Sequence, residues 1–177
     1  MGRSLHAGSH GALALALLWL TPPAAADEAQ IARGKYLVGI SGCSDCHTPG
    51  AMLGSPDMKR YLGGSDVGFS SPTQGVFVGQ NLTPDDKTGL GRWTAEQIVA
   101  AIRTGKRPDG SELSGLMPWA SFAKLTDEDA FAIAAFLRSL PPVNNKVVNY
   151  SSTDHVPISV STVLPPDAYN ALPAALK

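Results

Sequence analysis

Both cysteines of this 177-residue chain fall within one pentapeptide, Cys43-Ser44-Asp45-Cys46-His47, and no other feature limits the fold as strongly. The spacing is C-x-x-C-H. Two thiols three positions apart on a turn can each add to one vinyl group of the same porphyrin, and the histidine that follows then lies beneath the iron. The expectation is one covalent haem c, held by Cys43 and Cys46, with His47 as an axial iron ligand.

Three other uses of the pentapeptide compete with this one. A redox-active disulfide of thioredoxin type wants a strand before the motif and βαβ surroundings, and neither is visible in the sequence. A structural zinc site wants four Cys or His ligands, and Cys43, Cys46, His47 and the distant His155 would make an unusual layout. The third is a chance match on a surface loop.

The start of the chain reads as an address. Arg3 supplies a positive charge, Gly11 to Leu20 is a short apolar run, and Ala24-Ala25-Ala26 offers a small-residue cleavage site. Residues 1–26 are therefore expected to be a cleaved secretory leader, because a retained anchor needs roughly 20 apolar residues. His6 and His10 would leave with it, and so would Arg3, which moves the formal charge from −1 to −2. That balance argues against nucleic acid and anionic membranes as main partners. No transmembrane segment is expected in the mature chain, and the periplasm is the expected location.

Helical patterning dominates around the motif. Glu28 to Gly39, with Ile31, Tyr36, Leu37 and Val38, reads as a short helix ending before Cys43. A second helix is predicted from Thr94, where Thr94 and Gln97 can form a capping box, with Ile98, Ala101 and Ile102 buried and Gly105 ending it. A third starts at Thr126 with Asp127, Glu128 and Asp129 in its first turn. It faces Ile133, Phe136, Leu137 and Leu140 inward and stops at Pro141-Pro142. Thr48 to Arg92 is rich in Gly and Pro and resists assignment, apart from an extended piece at Val76-Phe77-Val78. The fold class is all-α: a helical domain over 27–143 around one covalent haem, with long irregular loops, followed by an extended tail over 144–177. That tail is expected to wrap over the domain or reach a partner.

The second axial ligand has four candidates, Met52, Met58, Met117 and His155. Met52 follows His47 too closely to pass around the porphyrin edge, and Met58 lies among Asp57, Lys59 and Arg60. Met117, in Gly115-Leu116-Met117-Pro118-Trp119, has apolar neighbours to shield a thioether and is the expected ligand. Met58, His155 and an open site are the alternatives, and core packing is the ordinary role of a lone methionine.

Several stretches in this order resemble one family. They are Ala32-Arg33-Gly34-Lys35-Tyr36-Leu37, Asn81-Leu82-Thr83-Pro84-Asp85, Gly89-Leu90-Gly91-Arg92-Trp93-Thr94, Leu116-Met117-Pro118-Trp119 and Ala134-Ala135-Phe136-Leu137-Arg138-Ser139-Leu140-Pro141-Pro142. Over about Ala29 to Val143 the chain resembles the class I cytochromes c. The likeness is greatest to haem domains in the cytochrome subunits of bacterial membrane dehydrogenases for alcohols, aldehydes and gluconate. The resemblance implies His47 and Met117 as axial ligands and a tight helix crossing at Gly34 and Phe136. It also places the Trp93 loop near a haem propionate, with Trp93 as the favoured hydrogen-bond donor and Asn81 and Arg92 as weaker ones. Core packing is the bland role for Trp93, Trp119 and Tyr61. Those dehydrogenase subunits resemble three such domains in a row, whereas this sequence has one haem motif and a tail that matches nothing in them.

Two functional classes then remain. A closed iron suits a relay of single electrons between redox proteins, from a periplasmic or membrane-bound dehydrogenase to an oxidase or another cytochrome. An open iron suits binding or reduction of a small molecule, and its acid–base histidine would have to be His155. The relay is the expectation, and no catalytic residue is assigned. Lys106, Arg107 and Lys124 are candidates for a docking rim, although exposed cations are usually only solvated surface.

Overall fold

The computed structural model describes residues 23–71 and 75–151, together with residues 1 and 170. The expected leader, apart from its two ends, and His155 lie outside them. Five α-helices carry the described part: α1 (Pro23–Ile40), α2 (Cys43–His47), α3 (Ala95–Thr104), α4 (Trp119–Phe122) and α5 (Asp127–Ser139). One antiparallel hairpin joins β1 (Gly68–Ser71) to β2 (Gly75–Val78). The chain is thus helical with long loops, as its patterning predicts.

Local sequence accounts for the two central helices. At α3 the Thr94 hydroxyl accepts from the Gln97 N–H at 3.2 Å, while the Gln97 side chain accepts from the Thr94 N–H at 3.0 Å. Gly105 ends it in the left-handed region at φ 72°. At α5 the Thr126 hydroxyl accepts from the Asp129 N–H at 3.1 Å, and three acids occupy the first turn, where the helix dipole favours them.

α1, α3 and α5 enclose the core. Leu37 and Val38 of α1, Ile98 and Val99 of α3, and Ala130, Ile133, Phe136 and Leu137 of α5 are buried together with Leu62 from the long loop. α1 and α5 approach closely because Gly34 presents no side chain to them: a Cβ there would lie 2.8 Å from the Cβ of Phe136 and would strike the Ala132 carbonyl oxygen. Arg33 Nε donates to Asp129 Oδ1 at 2.9 Å across the same crossing, and the Arg33 guanidinium lies 5.7 Å from the exposed Tyr36 ring. An ion pair between Arg103 and Asp127 ties α3 to α5.

The long loop has more structure than its composition suggests. Short 3-10 turns occupy Ala51–Leu53 and Met58–Arg60. In the hairpin Phe69 stands opposite Phe77, and the extended piece expected at Val76–Val78 is the core of β2. Beyond α5 the chain doubles back over this region. Val143 N–H donates to Thr83 Oγ1 at 3.0 Å, Asn145 Nδ2 donates to the Gly63 carbonyl at 2.8 Å, and Tyr150 pairs antiparallel with Val76.

Candidate functional site

α2 is a single helical turn consisting of the motif itself. Gly42 enters it in the left-handed region at φ 65°, and Thr48 leaves it extended. Two hydrogen bonds then fix the backbone at its end. The buried Thr48 hydroxyl accepts from the Leu62 N–H at 2.9 Å, and the His47 carbonyl accepts from the Gly64 N–H at 2.9 Å. Leu62, fully buried, adopts φ 57°, a conformation costing roughly 1–2 kcal/mol outside glycine. Packing and these bonds hold it there.

The turn opens onto a cavity of about 490 Å³, inside the range of roughly 300–1,000 Å³ usual for cofactor sites. Cys43, Cys46 and His47 line it, and so does Met117. Its walls are apolar: Phe69 and Phe77 from the hairpin, Leu82 and Leu90 from the loop, Ile98 from α3 and Leu137 from α5. Gly79 allows the loop to pass the motif, since a Cβ there would collide with the Cys46 carbonyl oxygen. Met52 and Met58 are 43% and 64% exposed and do not line the cavity.

His47 Nδ1 lies 2.7 Å from the Gln80 carbonyl oxygen. A carbonyl only accepts, so Nδ1 carries the proton and Nε2 keeps its lone pair. Burial pulls the imidazole pKa down, against the opposing pull of Gln80, and favours the neutral ring that a metal requires. Burial likewise pushes the Cys43 thiol up to about 11 and raises Cys46, so neither is poised as the thiolate used in disulfide exchange or zinc binding. The two cysteines are not bonded to each other, and no cluster of three or more metal-ligating side chains exists among the described residues. The donor set, the single-turn spacing and the apolar walls fit a covalently held haem.

A family model described as cytochrome c matches residues 31–141. The chain belongs to the cytochrome c family. The family implies covalent haem c, and Cys43 and Cys46 are present in this chain. The cytochrome c subunit of the quinone-dependent alcohol dehydrogenase of Gluconobacter oxydans (strain 621H) is 40% identical over 119 residues, 67% of this chain and 23% of that subunit. The fructose dehydrogenase cytochrome subunit of Gluconobacter japonicus is 36% identical over 115 residues, 65% of this chain and 22% of that one. A diheme cytochrome c-type protein of Cereibacter sphaeroides is 33% identical over 155 residues, 80% of this chain and 50% of that protein. The chain therefore spans about a quarter to a half of the length of these relatives.

The secondary site residues of this cytochrome divide in two. Trp93 lines the cavity and is half-buried. Asn81 is 2% exposed and fully engaged. Its Nδ2 donates to Thr88 Oγ1 at 3.0 Å and to the Val143 carbonyl at 2.7 Å, while Oδ1 accepts from both the N–H and the hydroxyl of Thr83. Asn81 lines the cavity, but both of its side-chain N–H groups are taken by these protein acceptors. Its work is to join the loop to the returning chain. Arg107 reaches the cavity edge, with Nη1 donating to Ser111 Oγ and the Glu112 carbonyl, whereas Lys106 and Lys124 are simply exposed.

Sequence reading missed the acceptor at His47 Nδ1, because a backbone carbonyl leaves no side-chain signature. It also missed Phe69, although Pro72 and the apolar run Val76-Phe77-Val78 follow it closely in sequence.

Proposed function

We propose that this cytochrome c carries one haem, ligated by His47 and Met117, and relays single electrons in the periplasm. The donor in this reading is a dehydrogenase, the role named for the relatives, and the acceptor is an oxidase or another cytochrome. The protein is an electron-transfer component and not an enzyme by itself. The single observation behind the reading is that His47, with Nδ1 committed to Gln80, and Met117 line the same apolar cavity while the other described methionines do not.

Bound haem supplies a one-electron ferric/ferrous couple. His47 and Met117 would hold the iron in both redox states, so that little rearrangement would accompany electron transfer. The neutral imidazole and the soft thioether together favour a high potential, and the apolar walls add to it by penalising the extra charge of the ferric state. The indole N–H of Trp93 is the proposed propionate donor. Both cysteines belong to one motif, which supports a single haem in this sequence. Among the described residues no helix is long and apolar enough to cross a membrane. An encounter with a membrane in this reading runs through the partner.

Adding carbon monoxide to the reduced protein tests the closed iron. Refusal of the gas, together with a weak sulfur-to-iron band at the red end of the ferric spectrum, is the expected result. Rapid binding would overturn the relay in favour of the open, ligand-binding iron.

A further inference from the structure

The family match ends at residue 141, yet the chain beyond it reaches the cavity. Pro141-Pro142 stops α5, Val143 and Asn145 anchor the returning segment, and the Tyr150 pairing with Val76 lays it along β2. This places the Asn149 side chain at the cavity. Asn149 Oδ1 accepts from the Val78 N–H at 2.9 Å and from Gln80 Nε2 at 3.1 Å. Gln80 Nε2 also donates to the Val78 carbonyl at 2.9 Å. The Gln80 main chain is thereby held by its own side chain, and its carbonyl receives the His47 Nδ1 proton at 2.7 Å.

We infer that Asn149 is a positioning residue that, through Gln80, sets the strength of the His47 Nδ1 hydrogen bond and with it the potential of the bound haem. The inference rests on His47 being an iron ligand. Groups that orient a ligating histidine raise its basicity, and a more basic imidazole favours ferric iron. A firmly held Gln80 carbonyl therefore lowers the potential, and a loosened one lets it rise. The segment that does this lies beyond the residues that the family model matches.

The test uses the full holoprotein and two readouts, the midpoint potential by optical titration and the exchange rate of the His47 Nδ1 proton by NMR. Asn149→Ala and Gln80→Ala should each raise the potential and speed exchange on the order of tenfold, the scale of one neutral hydrogen bond. Asn149→Asp keeps the accepting oxygen and should restore slow exchange. Asn144→Ala, exposed on the same segment, should change neither readout. If Asn149→Ala lowers only the melting temperature, with potential and exchange as in wild type, the segment is a structural strap and the inference falls. Should Asn149→Ala fail to fold, Gln80→Ala decides by the same two readouts. Failure of the parent reading is visible earlier: wild-type protein in which the iron does not shift the His47 ring resonances has no histidine ligand there.

Discussion

Gly34 of α1 and Phe136 of α5 cross with no space for a side chain between them: a Cβ at position 34 would sit 2.8 Å from that of Phe136 and run into the Ala132 carbonyl. Because the obstacle is backbone, it cannot swing aside. Gly34→Leu should cost roughly 1–3 kcal/mol by overpacking, and Gly34→Ala should also destabilise. Haem should stay attached while the melting temperature falls. An unchanged melting temperature would mean that the helices have room to part.

Met117→Ala removes the thioether assigned to the iron. Loss of the red-end ferric band, a lower potential and new carbon monoxide binding are expected, whereas Met117→His should stay six-coordinate but also fall in potential. The exposed Met52 and Met58 serve as controls. A band that survives Met117→Ala and vanishes in Met58→Ala would move the ligand to the loop.

Attachment through both thiols predicts that acid-acetone leaves the haem on the protein. Cys43→Ala or Cys46→Ala should leave a single thioether or little holoprotein, read by mass spectrometry of the intact chain. Complete extraction of haem from wild type would end the covalent assignment.

Asp129 lies below the ordinary carboxylate range, chiefly through the hydrogen bond from Arg33. Its unfolded value is about 3.9. A depressed folded pKa stabilises fully above the unfolded value and stops doing so as pH falls through the folded one. Asp129→Asn should therefore melt slightly below wild type near neutrality, by a small margin because the pair is solvent-accessible. The two melting curves should converge in acid, as pH falls through the depressed folded value. A gap that stays constant with pH would assign the difference to something other than this ion pair.

What the sequence disclosed was mostly local. The Thr94–Gln97 box, the Thr126 cap and the Gly105 stop each lie within a turn of the helix they bound, so they can be read without knowing the fold. The Gly34–Phe136 crossing was legible only through the family resemblance, since nothing near Gly34 names a partner about a hundred residues away. The loop-joining bonds of Asn81 were hidden for a physical reason: a buried asparagine beside a cofactor and one that joins loops look alike until the partners of its amide are known. The pairing of Tyr150 with Val76 and the reach of Asn149 to Gln80 depend on the return of the chain, which no periodicity announces.

The apolar cavity also ties the fold to whatever fills it. Its walls come from the hairpin, the loop, α3 and α5 at once, through Phe69, Phe77, Leu82, Leu90, Ile98 and Leu137. A group that binds only the folded chain stabilises it by mass action, and one seated against all of these elements would do so for each of them together.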